Sequence, residues 1–243
     1  LITDSRYIEA AGRESDFEVM ECTRNHSVKD ILRELITSEQ VKRLGYEDEA
    51  MLCKTFHEYQ KELPMVSEWI PLGGEVKKLR QIKTEEELEY LSHAESIGDK
   101  AFSKILEFLR PGVTEREIQM ELEYWMMKYG AEGNSFSTIV ASGVHSSMPH
   151  AIPTEKKIEY GDFVTMDFGC RYMGYCSDMT RTVVVGKAND KQKEIYQLVL
   201  KANRVTESLL HPGMACWEVD KLARDIITDA GYGEYFGHGL GHS

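Results

Sequence analysis

Two aspartates, Asp167 and Asp178, carry the clearest chemistry in this chain. The first lies in Met166-Asp167-Phe168-Gly169, the second in Cys176-Ser177-Asp178-Met179-Thr180-Arg181. A turn at Tyr172-Met173-Gly174 folds the two stretches into a β-hairpin. On paired antiparallel strands, residues nearly opposite each other can share a face. Two inward carboxylates repel unless positive charge sits between them. A divalent cation meets that need, and hard oxygen ligands suit Mn²⁺, Co²⁺, Fe²⁺ or Zn²⁺. The alternative on spacing alone is one aspartate in a turn and the other paired with Arg171 or Arg181. The apolar neighbours Val164, Met166 and Phe168 favour the cation, because a carboxylate in a buried strand needs a partner.

Histidines supply the second kind of chemistry. His238-Gly239-Leu240-Gly241-His242 sets two imidazoles four residues apart in a stretch whose glycines permit close backbone approach. Either ring could ligate a metal or move a proton, and a glycine-rich turn with two exposed histidines is the plainer reading. His150 follows the Gly/Ser loop 142–147, a position from which a side chain can serve a site, although a lone loop histidine is more often merely solvated. Cys170 and Cys176 flank the hairpin and read as packing residues. Trp125, Met126 and Met127 fall in a helical pattern and read as core.

The elements that must position these groups come in two blocks. Residues 1–70 alternate short apolar runs with helical patterns: a strand over 18–22, a helix over 28–36 with Ser27 as N-cap, and a helix over 47–63 stopped by Pro64. Pro71-Leu72-Gly73-Gly74 reads as a linker, which places a boundary near residue 78. Thr84-Glu85-Glu86-Glu87 then has the form of a capping box opening a long helix that ends near Leu109. Strands are expected over 137–141, 163–169 and 180–185, where β-branched and apolar residues concentrate.

An internal repeat organises this second block. Arg110-Pro111-Gly112-Val113 recurs as His211-Pro212-Gly213-Met214, an offset of 101 residues. At the same offset Glu117 meets Glu218, Ile118 meets Val219, Met126 meets Ile227 and Gly130 meets Gly231. The alternative is two unrelated helical hairpins. The agreement of turn, helix phase and terminating glycine favours a duplicated α/β unit with pseudo-two-fold symmetry around a central site.

Composition bounds the function. With 41 acidic against 29 basic residues the net charge is −12, which argues against nucleic acid as a partner. No apolar run reaches the ~20 residues of a membrane helix. Five cysteines, an odd number without a Cys-x-x-Cys pair, suit free thiols in a reducing cytoplasm. The chain opens on Leu1 inside a strand-like run and is expected to be cut at both ends.

Taken together, four ordered stretches resemble the metal-dependent "pita-bread" peptidases of family M24, which include aminopeptidase P, prolidase and methionine aminopeptidase. They are 147–151, 162–169, 174–182 and 238–242. The first block is similar to the amino-terminal domain of the creatinase, prolidase and aminopeptidase P branch. The resemblance implies an α/β (α+β) fold: a creatinase-type amino-terminal domain, residues 1–78, then a pita-bread domain with an internal duplication, residues 79–243, its carboxy-terminal part missing. It implies that Asp167, Asp178 and His242 are metal ligands, with Asp178 bridging two ions, and that His150 and His238 are non-ligand catalytic residues. Two glutamate ligands of the family's site would lie downstream of Ser243. The implied cofactors are two divalent ions (Mn, Co or Zn) in the intact protein. The implied reaction is hydrolysis of an Xaa-Pro bond in a dipeptide or at the amino end of a peptide with proline second. A homodimer, no nucleic acid and no membrane complete the expectation. A non-catalytic peptide- or partner-binding protein of the same fold, and a methionine aminopeptidase or creatinase-like hydrolase, are the alternatives.

Overall fold

The computed structural model describes residues 1–241, and the chain divides into two compact units, Leu1–Lys83 and the part from Thr84 onward. The first unit runs β1 (Ile2–Asp4), α1 (Ile8–Glu14), β2 (Met20–Cys22), α2 (Val28–Ser38), β3 (Arg43–Tyr46), α3 (Cys53–Glu62), β4 (Glu68–Pro71) and α4 (Glu75–Gln81). Its strands form two parallel pairs, β1 with β2 and β3 with β4. Ser27 caps α2 in a reciprocal box with Asp30, as its position predicts. A small core of Ile36, Leu63 and Val66 is completed by Leu32, Leu44, Tyr59 and Trp69.

Helix α3 is shorter than the expected 47–63. Residues 47–51 form a separate turn closed by Met51 N–H to Glu47 O at 2.8 Å. Asp48 is drawn off to accept the Gly73 N–H at 2.9 Å, and extended Leu52 then starts the helix. That long-range bond has no signature in the local sequence.

The second unit continues with α5 (Glu85–Phe108), α6 (Glu115–Lys128), β5 (Gly133–Asn134), β6 (Ile139–Ser142), a 3₁₀ turn at Gly143–Ser147, β7 (Phe163–Phe168), β8 (Cys170–Tyr172), β9 (Tyr175–Cys176), β10 (Met179–Val184), α7 (Asp190–Leu209), α8 (Cys216–Asp229) and a 3₁₀ turn at Gly233–Tyr235. Thr84 and Thr114 cap α5 and α6 through capping boxes with Glu87 and Glu117. The duplication is plain in the backbone: adding 101 to the bounds of α6 gives the bounds of α8. Gly112 and Gly213 take φ of 93° and 92°, and Gly130 and Gly231 take 105° and 83°, left-handed values that glycine adopts without steric cost.

Three strands make the sheet that matters, in the order β10-β7-β6, antiparallel throughout. Along β7, Val164, Met166 and Phe168 are buried and alternate with half-buried Phe163, Thr165 and Asp167. The buried face packs on Ile97, Ala101, Ile105, Ile118, Leu122 and Met126 of α5 and α6. Each fully buried Val, Ile, Leu, Met or Phe side chain here is worth about 1.5–3 kcal/mol of transfer free energy, so this layer sets which way β7 faces. Met126 joins the core as expected, whereas Met127 is half exposed. Its neighbour Trp125 is partly buried and lies under Lys128, 4.4 Å from the ring.

Candidate metal centre

The strand register decides where the two aspartates point. Phe168 pairs with Met179, and Asp167 with Thr180. Met179 lies on the helix-covered face, beside Phe168 and over Gly98. Burial then alternates backwards from it: Ser177 and Met179 are buried, Asp178 and Thr180 exposed. Period-two alternation therefore puts Asp178 on the face of Thr180 and Asp167, away from the helices. On that same face Thr165 and Thr182 share a hydrogen bond at 3.1 Å.

The hairpin between the aspartates is tighter than a simple two-stranded turn. Met173 and Gly174, with φ of 49° and 79°, form the two-residue turn that joins β8 to β9. Gly169 separates β7 from β8, and a Cβ there would stand 2.0 Å from Ser177 O and 2.4 Å from Ser135 Oγ. Ser135 Oγ donates to Ser177 O at 2.7 Å, and Cys170 N–H donates to Ser177 Oγ at 2.9 Å. These contacts fix the residue that precedes Asp178. Glu95 of α5 accepts the Asp178 N–H at 3.2 Å. Cys170 is buried, as a packing residue should be, but Cys176 is exposed and does not pack. The basic neighbours hold other carboxylates: Arg171 pairs with Glu132 at 3.5 Å and Arg181 with Asp99 at 3.2 Å.

The two catalytic histidines expected from sequence meet in space. The rings of His150 and His238 lie 5.4 Å apart, centroid to centroid, at 63°. They arrive from different repeats, His150 from the loop after β6 and His238 from the stretch after α8. His238 is held by α8. Arg224 donates to the carbonyls of Phe236 (2.8 Å) and His238 (3.1 Å), and Asp220 accepts the Leu240 N–H at 2.8 Å. Asp220 and Arg224 are themselves paired at 2.7 Å one helical turn apart. Arg224's side chain, and next the Leu240 N–H, hold the Asp220 carboxyl below its ordinary range. At the equivalent positions of the first repeat Gln119 and Glu123 are hydrogen-bonded at 3.0 Å.

The loop that carries His150 is tied down by a residue the sequence reading missed, Glu115 of α6. Its side chain is fully buried and accepts from Ser142 and Thr154, while His145 Nδ1 lies 3.1 Å away. The only local signal was its place one residue after the Thr114 cap. An open cleft of about 600 Å³ borders His150, with Phe136, Ile139, Ile152 and Pro153 as apolar wall and Arg116 among its lining.

Asp167 and Asp178 supply hard oxygen donors on one sheet face, a set that fits a divalent cation. His242, the imidazole ligand expected beside them, lies outside the described residues. Among the described residues no group of three or more His, Cys, Asp or Glu side chains is gathered to hold a metal.

Comparison with known proteins agrees with the fold and the motifs. Residues 89–243 match the model of metallopeptidase family M24, and residues 1–82 match the creatinase/prolidase N-terminal domain. The chain belongs to metallopeptidase family M24. It is 44% identical over 242 residues to the uncharacterized peptidase YqhT of Bacillus subtilis (strain 168), covering 99% of this chain and 68% of that protein. It is 41% identical over 234 residues to the Xaa-Pro dipeptidase of Pyrococcus furiosus, covering 96% of this chain and 65% of that one. The structure of an Xaa-Pro dipeptidase from Bacillus anthracis superposes with a TM-score of 0.93 at 44% identity, over 99% of this chain and 67% of that one. The chain thus spans about two thirds of the length of these relatives.

Proposed function

We propose that this protein hydrolyses the Xaa-Pro peptide bond, in dipeptides or at the amino end of short peptides, with divalent metal ions. The observation that carries this reading is the meeting of His150 and His238 at 5.4 Å, each on a motif of the family and each from a different repeat. Relatives bearing the name Xaa-Pro dipeptidase support the substrate class.

In this reading Asp167, Asp178 and His242 would hold two divalent metal ions, Mn, Co or Zn. When bound, such ions supply Lewis acidity that lowers the pKa of water and polarises a carbonyl. This chain's own residues do the rest. His150 and His238, both exposed and adjacent, donate hydrogen bonds to the scissile carbonyl as charge develops on its oxygen. One of them delivers the proton that the proline nitrogen needs to leave. The Arg224–Asp220 pair keeps the His238 backbone fixed while this happens. The apolar wall of Phe136, Ile139, Ile152 and Pro153 receives the substrate's hydrocarbon part and excludes water from it.

The proposal extends to a homodimer and a cytoplasmic location. All five cysteines are free thiols, which suits a reducing compartment. No helix among the described residues is long and apolar enough to cross a membrane. The test of the activity is hydrolysis of an Xaa-Pro dipeptide and of a longer peptide with proline second by the full-length protein loaded with Mn²⁺. Metal binding without cleavage of either substrate would leave the peptide-binding alternative standing.

A further inference from the structure

We infer that Glu115 is the positioning residue for His150, clamping both ends of the loop that presents it. This rests on the catalytic reading of His150 given above. The two oxygens of the buried carboxylate divide the work. Oε1 accepts from Ser142 N–H and Ser142 Oγ, both at 2.8 Å, and faces His145 Nδ1 at 3.1 Å. Oε2 accepts from Thr154 N–H at 3.0 Å and Thr154 Oγ1 at 2.7 Å. Ser142 ends β6 and Thr154 closes the loop, so residues 143–153 form a span pinned at its two feet by one side chain.

The surroundings reinforce the same span. The Glu115 and Arg116 N–H groups, orphan donors at the start of α6, bond the carbonyls of Lys156 and Thr154, each at 3.1 Å. Lys156 Nζ bridges Ser142 Oγ at 2.9 Å and Asp162 at 2.7 Å. Inside the span Ala151 is buried beside exposed His150, so the backbone under the imidazole is seated rather than draped. A carboxylate suits this place because every group aimed at it is a donor or can be one. A carboxamide would turn an NH₂ group on some of those donors and leave them unmet. A satisfied buried network of this kind rigidifies what it holds. The loop geometry at His150 is thereby set from α6.

The experiment uses the full-length, metal-loaded protein with Glu115→Gln, His150→Ala, the double variant and Glu115→Asp. Steady-state kinetics on an Xaa-Pro dipeptide are paired with amide hydrogen exchange over 143–153 and metal content. Clamping predicts that Glu115→Gln lowers kcat/KM by about 10- to 10²-fold, the range of a misplacement approaching 1 Å, with metal content unchanged. It predicts faster exchange in 143–153, and a double variant no slower than His150→Ala alone. Glu115→Asp should recover part of the loss. Losses that multiply in the double variant, or wild-type exchange in the loop of Glu115→Gln, would overturn the inference. If Glu115→Gln does not fold, Thr154→Val, which removes one donor from one foot, is read by the same two measurements. Wild-type activity in His150→Ala would instead refute the catalytic reading, and the exchange data would still decide the clamp.

Discussion

Replacing Gly169 by alanine should loosen the site without touching any of its chemical groups. The added Cβ would stand 2.0 Å from Ser177 O, 2.8 Å from Ser177 C and 2.4 Å from Ser135 Oγ. Ordinary carbon–oxygen approach is no closer than about 3.3 Å, so one strand must move by roughly 1 Å. The atom in the way is backbone, which cannot rotate aside as a side-chain tip would. Ser177 immediately precedes Asp178, so the displacement falls on the aspartate that shares a sheet face with Asp167. Overpacking of this sort costs about 1–3 kcal/mol, and a domain of this size loses about 2–4 °C of melting temperature per kcal/mol. Thermal unfolding and Mn²⁺ calorimetry on full-length protein measure both consequences. The expected result is a lower melting temperature and weaker metal binding, with kcat/KM down by about 10²-fold. Gly12→Ala is the control: nothing lies within 4 Å of its added Cβ, and it sits in α1, where alanine is the better helix former. Unchanged stability and metal affinity in Gly169→Ala would refute the close-approach argument.

Other perturbations have equally definite outcomes. His150→Ala and His238→Ala should each reduce kcat by about 10²- to 10⁴-fold while leaving bound metal, measured by elemental analysis, at wild-type level. Burial raises the pKa of Glu115, but the hydrogen bonds from Thr154 and Ser142 outweigh it and the net direction is down from 4.5. A group depressed on folding stabilises the protein above its unfolded pKa and loses that contribution as pH falls through the folded one. Melting temperature should therefore fall more steeply below pH ~4.5 for wild type than for Glu115→Gln, with both curves measured in the same buffers. Thr84→Ala removes the hydroxyl that accepts the Glu87 N–H at 3.3 Å and should cost about 1 kcal/mol by denaturant titration.

Much of the frame could be read from residue types because the governing forces are local. The capping boxes at Ser27 and Thr84 and the Pro-Gly turns at Gly112 and Gly213 act over three or four residues, so their sequence forms are diagnostic. The 101-residue offset carried further and gave α8 the bounds of α6. Parity did the same for the aspartates once Val164, Met166 and Phe168 were taken as the buried face of β7. What escaped depended on distant partners. Glu115 lies in the first turn of its helix, and its role lies in Ser142 and Thr154, 27 and 39 residues away. Asp220 and Arg224 sit four residues apart on α8, and their second contacts are backbone groups of 236–240. Residues 47–51 carried a helical pattern that Asp48 broke by bonding Gly73. Cys176 and Met127 fell beside buried residues but on outward-facing steps of the strand and helix periods.

The central claim is that Asp167 and Asp178 share a cation with His242. Anomalous diffraction from crystals of the full-length protein grown with Mn²⁺ tests it most directly. The account predicts density within coordination distance of both carboxylates and the imidazole. Manganese bound elsewhere, with no peak within reach of both aspartates, would contradict it.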